Sequence, residues 1–129
     1  MLLMMQKKMT GDSKKKIIIY YSKAVEETLN FLEQTKTQNK ISRSIYNSFL
    51  KKIELIKSNP LYGDNIPKKQ IPTEYIINYK INNLFRLEIS NYWRCLYSLV
   101  DEKENKIKII AFVIDLIDHK KYNCKFKYK

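Results

Sequence analysis

Arg86, Glu88, Arg94, His119 and Tyr122 are the side chains whose types and spacing could do chemistry. The chain holds 25 Lys and Arg residues, of which only Arg43, Arg86 and Arg94 are arginines. Where lysine is the default cation, two arginines close together point to planar, permanently charged forks that grip phosphate. His119 is the single histidine, and its unperturbed pKa suits proton transfer near neutrality. Glu88 could hold or tune an arginine, or act as a base if taken out of water. Tyr122 could stack on a ring or donate a proton, and the adjacent Lys120 and Lys121 add affinity for phosphate.

The elements that position these residues follow from patterning. Phe85, Leu87 and Ile89 alternate with Arg86, Glu88 and Ser90, and Trp93, Cys95, Tyr97 and Leu99 alternate with Arg94, Leu96, Ser98 and Val100. Two period-two runs split by a short polar turn read as a β-hairpin with one buried face. Residues directly opposite in an antiparallel pair point to the same side. Both apolar sets carry odd numbers, so the loop holds an odd count, most simply Ser90-Asn91-Tyr92 with Asn91 left-handed. That register gathers Arg86, Glu88 and Arg94 on the other face, the expected working surface.

A chain of 129 residues with 44% hydrophobic and 29% charged residues can bury a core as one domain without staples. Met1-Leu-Leu-Met-Met is too short an apolar start for a signal peptide. Two cysteines, Cys95 and Cys124, make no disulfide framework and have no zinc spacing, which points to a reducing, cytoplasmic setting. Cys95 lies on the apolar face of its strand and reads as a core thiol. The net charge of +12 narrows the partners to nucleic acid, an acidic protein or an anionic surface. A lysine-rich proteome is the plainer source of the same charge.

Residues 1–15 carry no periodicity and read as a disordered lead, with Met1, Met4, Met5 and Met9 all available as starts; residues 16–129 form the single domain. Lys16 to Tyr21 is a strand. Ser22 caps a helix through about Lys36, with Val25, Leu29 and Leu32 in one stripe. A second helix runs from about Lys40 to Lys57, with Ile41, Ile45, Phe49, Ile53 and Ile56 at helical spacing, and ends at Asn59-Pro60. The Pro- and Gly-bearing stretch that follows is turn-rich, with one or two helical turns over Thr73 to Tyr79. After the hairpin, Asp101 to Asn105 is a turn and Ile107 to Ile117 a central strand covered on both sides. Past His119 the chain reads as a basic tail. The expected fold is α+β: an N-terminal strand, a helical hairpin, then an antiparallel three-stranded meander, making an antiparallel four-stranded sheet with the helices on one face.

This order of elements resembles the RelE/ParE superfamily of type II toxins, most closely its archaeal-type members. The resemblance spans about residues 16 to 128. It is carried by the Asn59-Pro60 helix end, Leu84-Phe-Arg-Leu-Glu-Ile, Trp93-Arg-Cys-Leu-Tyr, and the closing Asp118-His119-Lys-Lys-Tyr122. It implies a toxin that cuts messenger RNA in the ribosomal A site, is silenced by a cognate acidic antitoxin, and uses no cofactor, metal or membrane. Arg94 matches the superfamily arginine that contacts the scissile phosphate, and Arg86 matches a basic position one strand earlier. His119 falls where the histidine-bearing branch keeps its general acid or base, and Tyr122 lies near the C-terminal aromatic of that site. Lys80, Lys120, Lys121 and Lys125 are then RNA-binding candidates. Two departures stand out. Glu88 occupies a position where RelE has a second basic residue, and the segment from Pro60 to Asn83 has no bacterial counterpart.

Metal-free RNA cleavage needs a base for the 2′-hydroxyl proton, cationic donors for the phosphorane-like transition state, and an acid for the leaving 5′-oxygen. Arg86 and Arg94 suit the second task and His119 one of the others, with Glu88 as a possible base or orienting partner. Plainer readings exist. A lone histidine at a strand end is often a surface or capping residue, and Arg94 could pair with Glu88 in a weak surface salt bridge. Three functions therefore compete: an endoribonuclease toxin, a non-catalytic gyrase inhibitor of ParE type, and an orphan of the same fold that only binds RNA or protein.

Overall fold

The computed structural model describes residues 16–101 and 108–127, so the expected lead over residues 1–15 and most of the turn after Asp101 lie outside the described residues. The fold is α+β. In chain order it comprises β1 (Lys16–Tyr21), α1 (Lys23–Thr35), α2 (Lys40–Ser58), β2 (Asp64–Asn65), a 3-10 turn (Lys68–Gln70), α3 (Thr73–Tyr79), β3 (Phe85–Ile89), β4 (Trp93–Asp101), β5 (Lys108–Ile117) and α4 (His119–Phe126).

Local chemistry sets most of these boundaries. The Ser22 hydroxyl accepts from the Val25 N–H at 3.1 Å, which caps α1, and donates to the Ile114 carbonyl at 2.7 Å. One side chain thus ends a helix and ties it to the sheet. Asn39 caps α2 by accepting from the N–H groups of Ile41 and Ser42. Asn59, forced out of helical geometry by Pro60, takes φ −149° and ψ 98° and stops it. Val25, Leu32, Ile45, Phe49, Ile53 and Ile56 then pack on the odd-numbered face of the hairpin: Phe85, Leu87, Ile89, Cys95 and Tyr97.

The hairpin register is the expected one. Ile89 faces Trp93, Glu88 faces Arg94 and Leu87 faces Cys95, across the three-residue turn Ser90-Asn91-Tyr92. Asn91 is left-handed as expected (φ 61°), and Tyr92 is left-handed as well (φ 63°). A tyrosine at positive φ is uncommon and stores strain.

Three expectations are corrected. The sheet has five strands rather than four, in the order β1-β5-β4-β3-β2. The extra strand, β2, is only two residues long and pairs with β3, too short to leave any alternation in the sequence. β1 runs parallel to β5 while the other pairs are antiparallel, because α1 and α2 carry the chain across the sheet before it returns. The basic tail is instead a helix. Asp118 caps α4 by accepting from the Lys121 N–H at 2.9 Å, and Tyr122 and Phe126, four residues apart on one helical face, stack at 4.4 Å.

The even-numbered face is also less open than a solvent-facing sheet. Ile66, Ile71, Tyr75, Ile81 and Leu84, from the stretch before the hairpin, close with Tyr122 over Leu96, Ile114 and Ile117. Leu96 and Ser98 are fully buried. Beyond Leu96 toward the Ser90–Tyr92 turn, β4 shows half-buried Arg94 on this face, beside exposed Glu88 on β3.

Candidate functional site

Arg86 on β3 and Arg94 on β4 converge on Tyr122 of α4. Arg86 Nη1 donates to the Tyr122 hydroxyl at 3.0 Å, and Nη2 donates to Asp64 Oδ2 at 3.1 Å. The two guanidinium carbons lie 6.0 Å (Arg86) and 5.6 Å (Arg94) from the Tyr122 ring centroid, within cation–π range. The same Arg94 guanidinium is steadied by a 3.1 Å hydrogen bond that Nη1 donates to the Trp93 carbonyl. Bonding to Tyr122 holds the Arg86 pKa above its ordinary value; burial works against this and Asp64 adds to it. The Arg86 Nε is buried without a hydrogen-bond partner, while the bonds from Nη1 and Nη2 constrain the fork. Tyr122 is 2% exposed. Its ring is enclosed by Phe126 and the two arginines, which leaves no open face for a base to stack on. Its contribution in this arrangement is to fix the guanidinium groups.

His119 stands at the first position of α4, exposed and one turn before Tyr122 on the same helical side. Its ring lies 6.1 Å from that of Tyr92, edge to face, and the strained backbone of Tyr92 is what presents that ring. Glu88 is exposed directly across from Arg94, but the expected salt bridge is not made: the Arg94 guanidinium turns to the Trp93 carbonyl and the Tyr122 ring instead. Lys120 and Lys121 are exposed on α4. Lys80 caps α3 in a left-handed conformation (φ 56°), past Tyr79, which packs on Phe112. Phe112 pairs with Ser98, on the side of Leu96 away from Arg94. Lys125 is committed elsewhere, 3.0 Å from Glu74 and 3.7 Å from Asp115.

Comparison with known proteins returns nothing. No family model, no curated protein and no solved structure matches this chain. Its chemistry is therefore argued from its own side chains. Among the described residues no group of three or more His, Cys, Asp or Glu is placed to hold a metal ion, and no helix is long and apolar enough to cross a membrane.

Two features escaped the sequence. Asp64 meets Arg86 from a two-residue strand, and its only local hint is the preceding Gly63, where a Cβ would come within 2.9 Å of Tyr97 Cε1 and 3.0 Å of the Arg86 carbonyl oxygen. The second is Asp115, a carboxylate within the apolar run that follows Lys108 in β5, to which the Tyr75 hydroxyl donates at 2.5 Å. With Glu74 and Lys125 it joins α3, α4 and β5, on one wall of a groove of about 1320 Å³. That groove is also lined by Glu27, Asp118, Lys69 and Lys121, but by neither site arginine. Its balance of acids and lysines makes it a poorer seat for phosphate than the arginine pair.

Burial raises the Asp115 pKa above the ordinary carboxylate value, against the lowering effects of the Tyr75 hydrogen bond and Lys125. Folded Asp115 therefore binds its proton more tightly than the unfolded chain does. Its contribution to stability is complete below the unfolded pKa and is lost as pH rises through the raised folded value. Compared with Asp115→Asn, the wild type is expected to lose unfolding free energy over that interval. Urea titrations of both proteins from about pH 3 to pH 7 check this, and a difference that stays flat with pH would contradict it.

Proposed function

We propose that this chain is a toxin of the RelE/ParE type that cleaves messenger RNA as a metal-independent endoribonuclease, held in check by an acidic antitoxin. The observation that carries the reading is the Arg86–Tyr122–Arg94 cluster. Two of the chain's three arginines meet on one buried tyrosine, and the single histidine lies one helical turn away. Packing has already restricted the cationic side chains, so little reorganisation remains when a phosphate arrives.

In the proposed reaction the 2′-oxygen of a nucleotide loses its proton to a base and attacks the adjacent phosphorus. The bond from phosphorus to the 5′-oxygen breaks, leaving a 2′,3′-cyclic phosphate and a 5′-hydroxyl. Arg86 and Arg94 stabilise the charge on the phosphorane oxygens. His119, exposed where a backbone could reach it, gives the proton to the leaving oxygen. Glu88, opposite Arg94, is the candidate for taking the first proton. Lys120 and Lys121 attract the flanking phosphates, and their effect weakens as salt rises.

Induced expression of the wild type and of His119→Ala in a heterologous host, with primer extension on a translated messenger, tests the reading. The expected result is growth arrest with codon-phased cuts in the wild type and about 100-fold or greater loss of cutting in the variant. Arrest with intact messenger would turn the reading toward gyrase inhibition. Folded protein without effect on growth or RNA would leave a binding module.

A further inference from the structure

We propose that Asp64 is a resident anion on the phosphate site, occupying the Arg86 fork at rest and swinging out when a backbone phosphate enters. The inference rests on reading Arg86 and Arg94 as phosphate ligands and adds the residue that controls access to them. Asp64 Oδ2 lies 3.1 Å from Arg86 Nη2, and the carboxylate side chain is 67% exposed against 28% for the arginine. The carboxylate thus stands on the solvent side of a largely buried guanidinium. The opposite donor, Nη1, is held by Tyr122, so the fork remains in place when Asp64 leaves.

The backbone beneath Asp64 is fixed. Gly63 N–H donates to the Tyr97 hydroxyl at 2.9 Å, Ile66 N–H donates to the Leu84 carbonyl at 2.9 Å, and Asp64 itself pairs with Arg86 across β2 and β3. Exchange therefore requires only rotation of a short exposed side chain, which is fast. An exposed ion pair of this kind is weak. A phosphodiester that also reaches Arg94 makes charge-assisted bonds to both forks and displaces it. A small free anion gains less and competes poorly. Asp64 in this way favours an extended phosphate backbone over free inorganic phosphate.

The test is binding of a fluorescein-labelled RNA oligonucleotide made uncleavable by 2′-O-methyl groups, and of inorganic phosphate as competitor, at one fixed salt concentration. Asp64→Asn and Asp64→Ala are both expected to bind the oligonucleotide about 3- to 10-fold more tightly, with a larger proportional gain for inorganic phosphate. The gain should vanish in an Arg86→Ala background and exceed that of Glu33→Gln, which removes an exposed acid elsewhere. Unchanged or weaker binding in the Asp64 variants overturns the proposal, as does a gain that persists without Arg86 or is matched by Glu33→Gln. Cleavage of a translated messenger, measured in parallel, separates the two ideas. The local gain without any cleavage would sink the nuclease and keep the resident anion. Cleavage with no gain would do the reverse.

Discussion

Arg94→Ala is expected to lower cleavage of a translated messenger about 100- to 1000-fold, with little change in the cooperativity of unfolding. Arg94 is half-buried at the open end of its face, held by the Trp93 carbonyl and the Tyr122 ring. Removing it takes a fixed cationic donor from the place where phosphorane charge develops, and strands no charged partner in the interior. Arg94→Lys should recover only part of the loss, because an ammonium keeps the charge and loses the planar fork. Arg86→Ala should lose a similar factor in rate and also some stability. The charge-assisted bond that Arg86 donates to the Tyr122 hydroxyl is then lost, at roughly 1.5–3 kcal/mol for a hydrogen bond to a charged group. Single-turnover cleavage in a reconstituted translation reaction, alongside urea unfolding of each variant, measures both quantities. A wild-type rate in Arg94→Ala would remove the arginine pair from the chemistry.

Tyr97→Ala is expected to cost about 3–5 kcal/mol of unfolding free energy, the largest stability effect among the site's supporting residues. Tyr97 is fully buried and its ring stacks on Phe85 at 5.2 Å. Its hydroxyl donates to the Pro60 carbonyl at 2.7 Å and accepts from Gly63 N–H at 2.9 Å. Burial pushes the phenol pKa up to about 12, so the hydroxyl keeps its proton and its donor role at physiological pH. Tyr97→Phe retains the stack and leaves both backbone groups without that partner, for a smaller loss of about 1–3 kcal/mol. Guanidinium unfolding should rank wild type, Phe and Ala in that order. Equal losses in Phe and Ala would mean that the hydroxyl, not the packing, dominates. Because this hydroxyl draws the Pro60–Gly63 turn onto the sheet, both variants should also loosen Asp64 from Arg86.

Local sequence already determined much of this arrangement. Strand pleating alternates side chains strictly, so two apolar runs on odd numbers and an odd turn were enough to bring Arg86, Glu88 and Arg94 to one face. Ser22 and Asn59-Pro60 act within a few residues of themselves, and the helix limits they mark are the observed ones. Tertiary structure decided the rest. The direction of β1 depends on how α1 and α2 lie across the sheet, which no pattern within Lys16–Tyr21 encodes. Asp64 reaches Arg86 across a sequence separation of 22 residues, and Tyr75 reaches Asp115 across 40. Segments as short as β2 and α4 carry too little periodicity to declare themselves, and form where a prepared surface stabilises them. The sequence therefore made the arginine pair visible. Only packing showed that Tyr122 is buried against both arginines and that a carboxylate already sits on one of them.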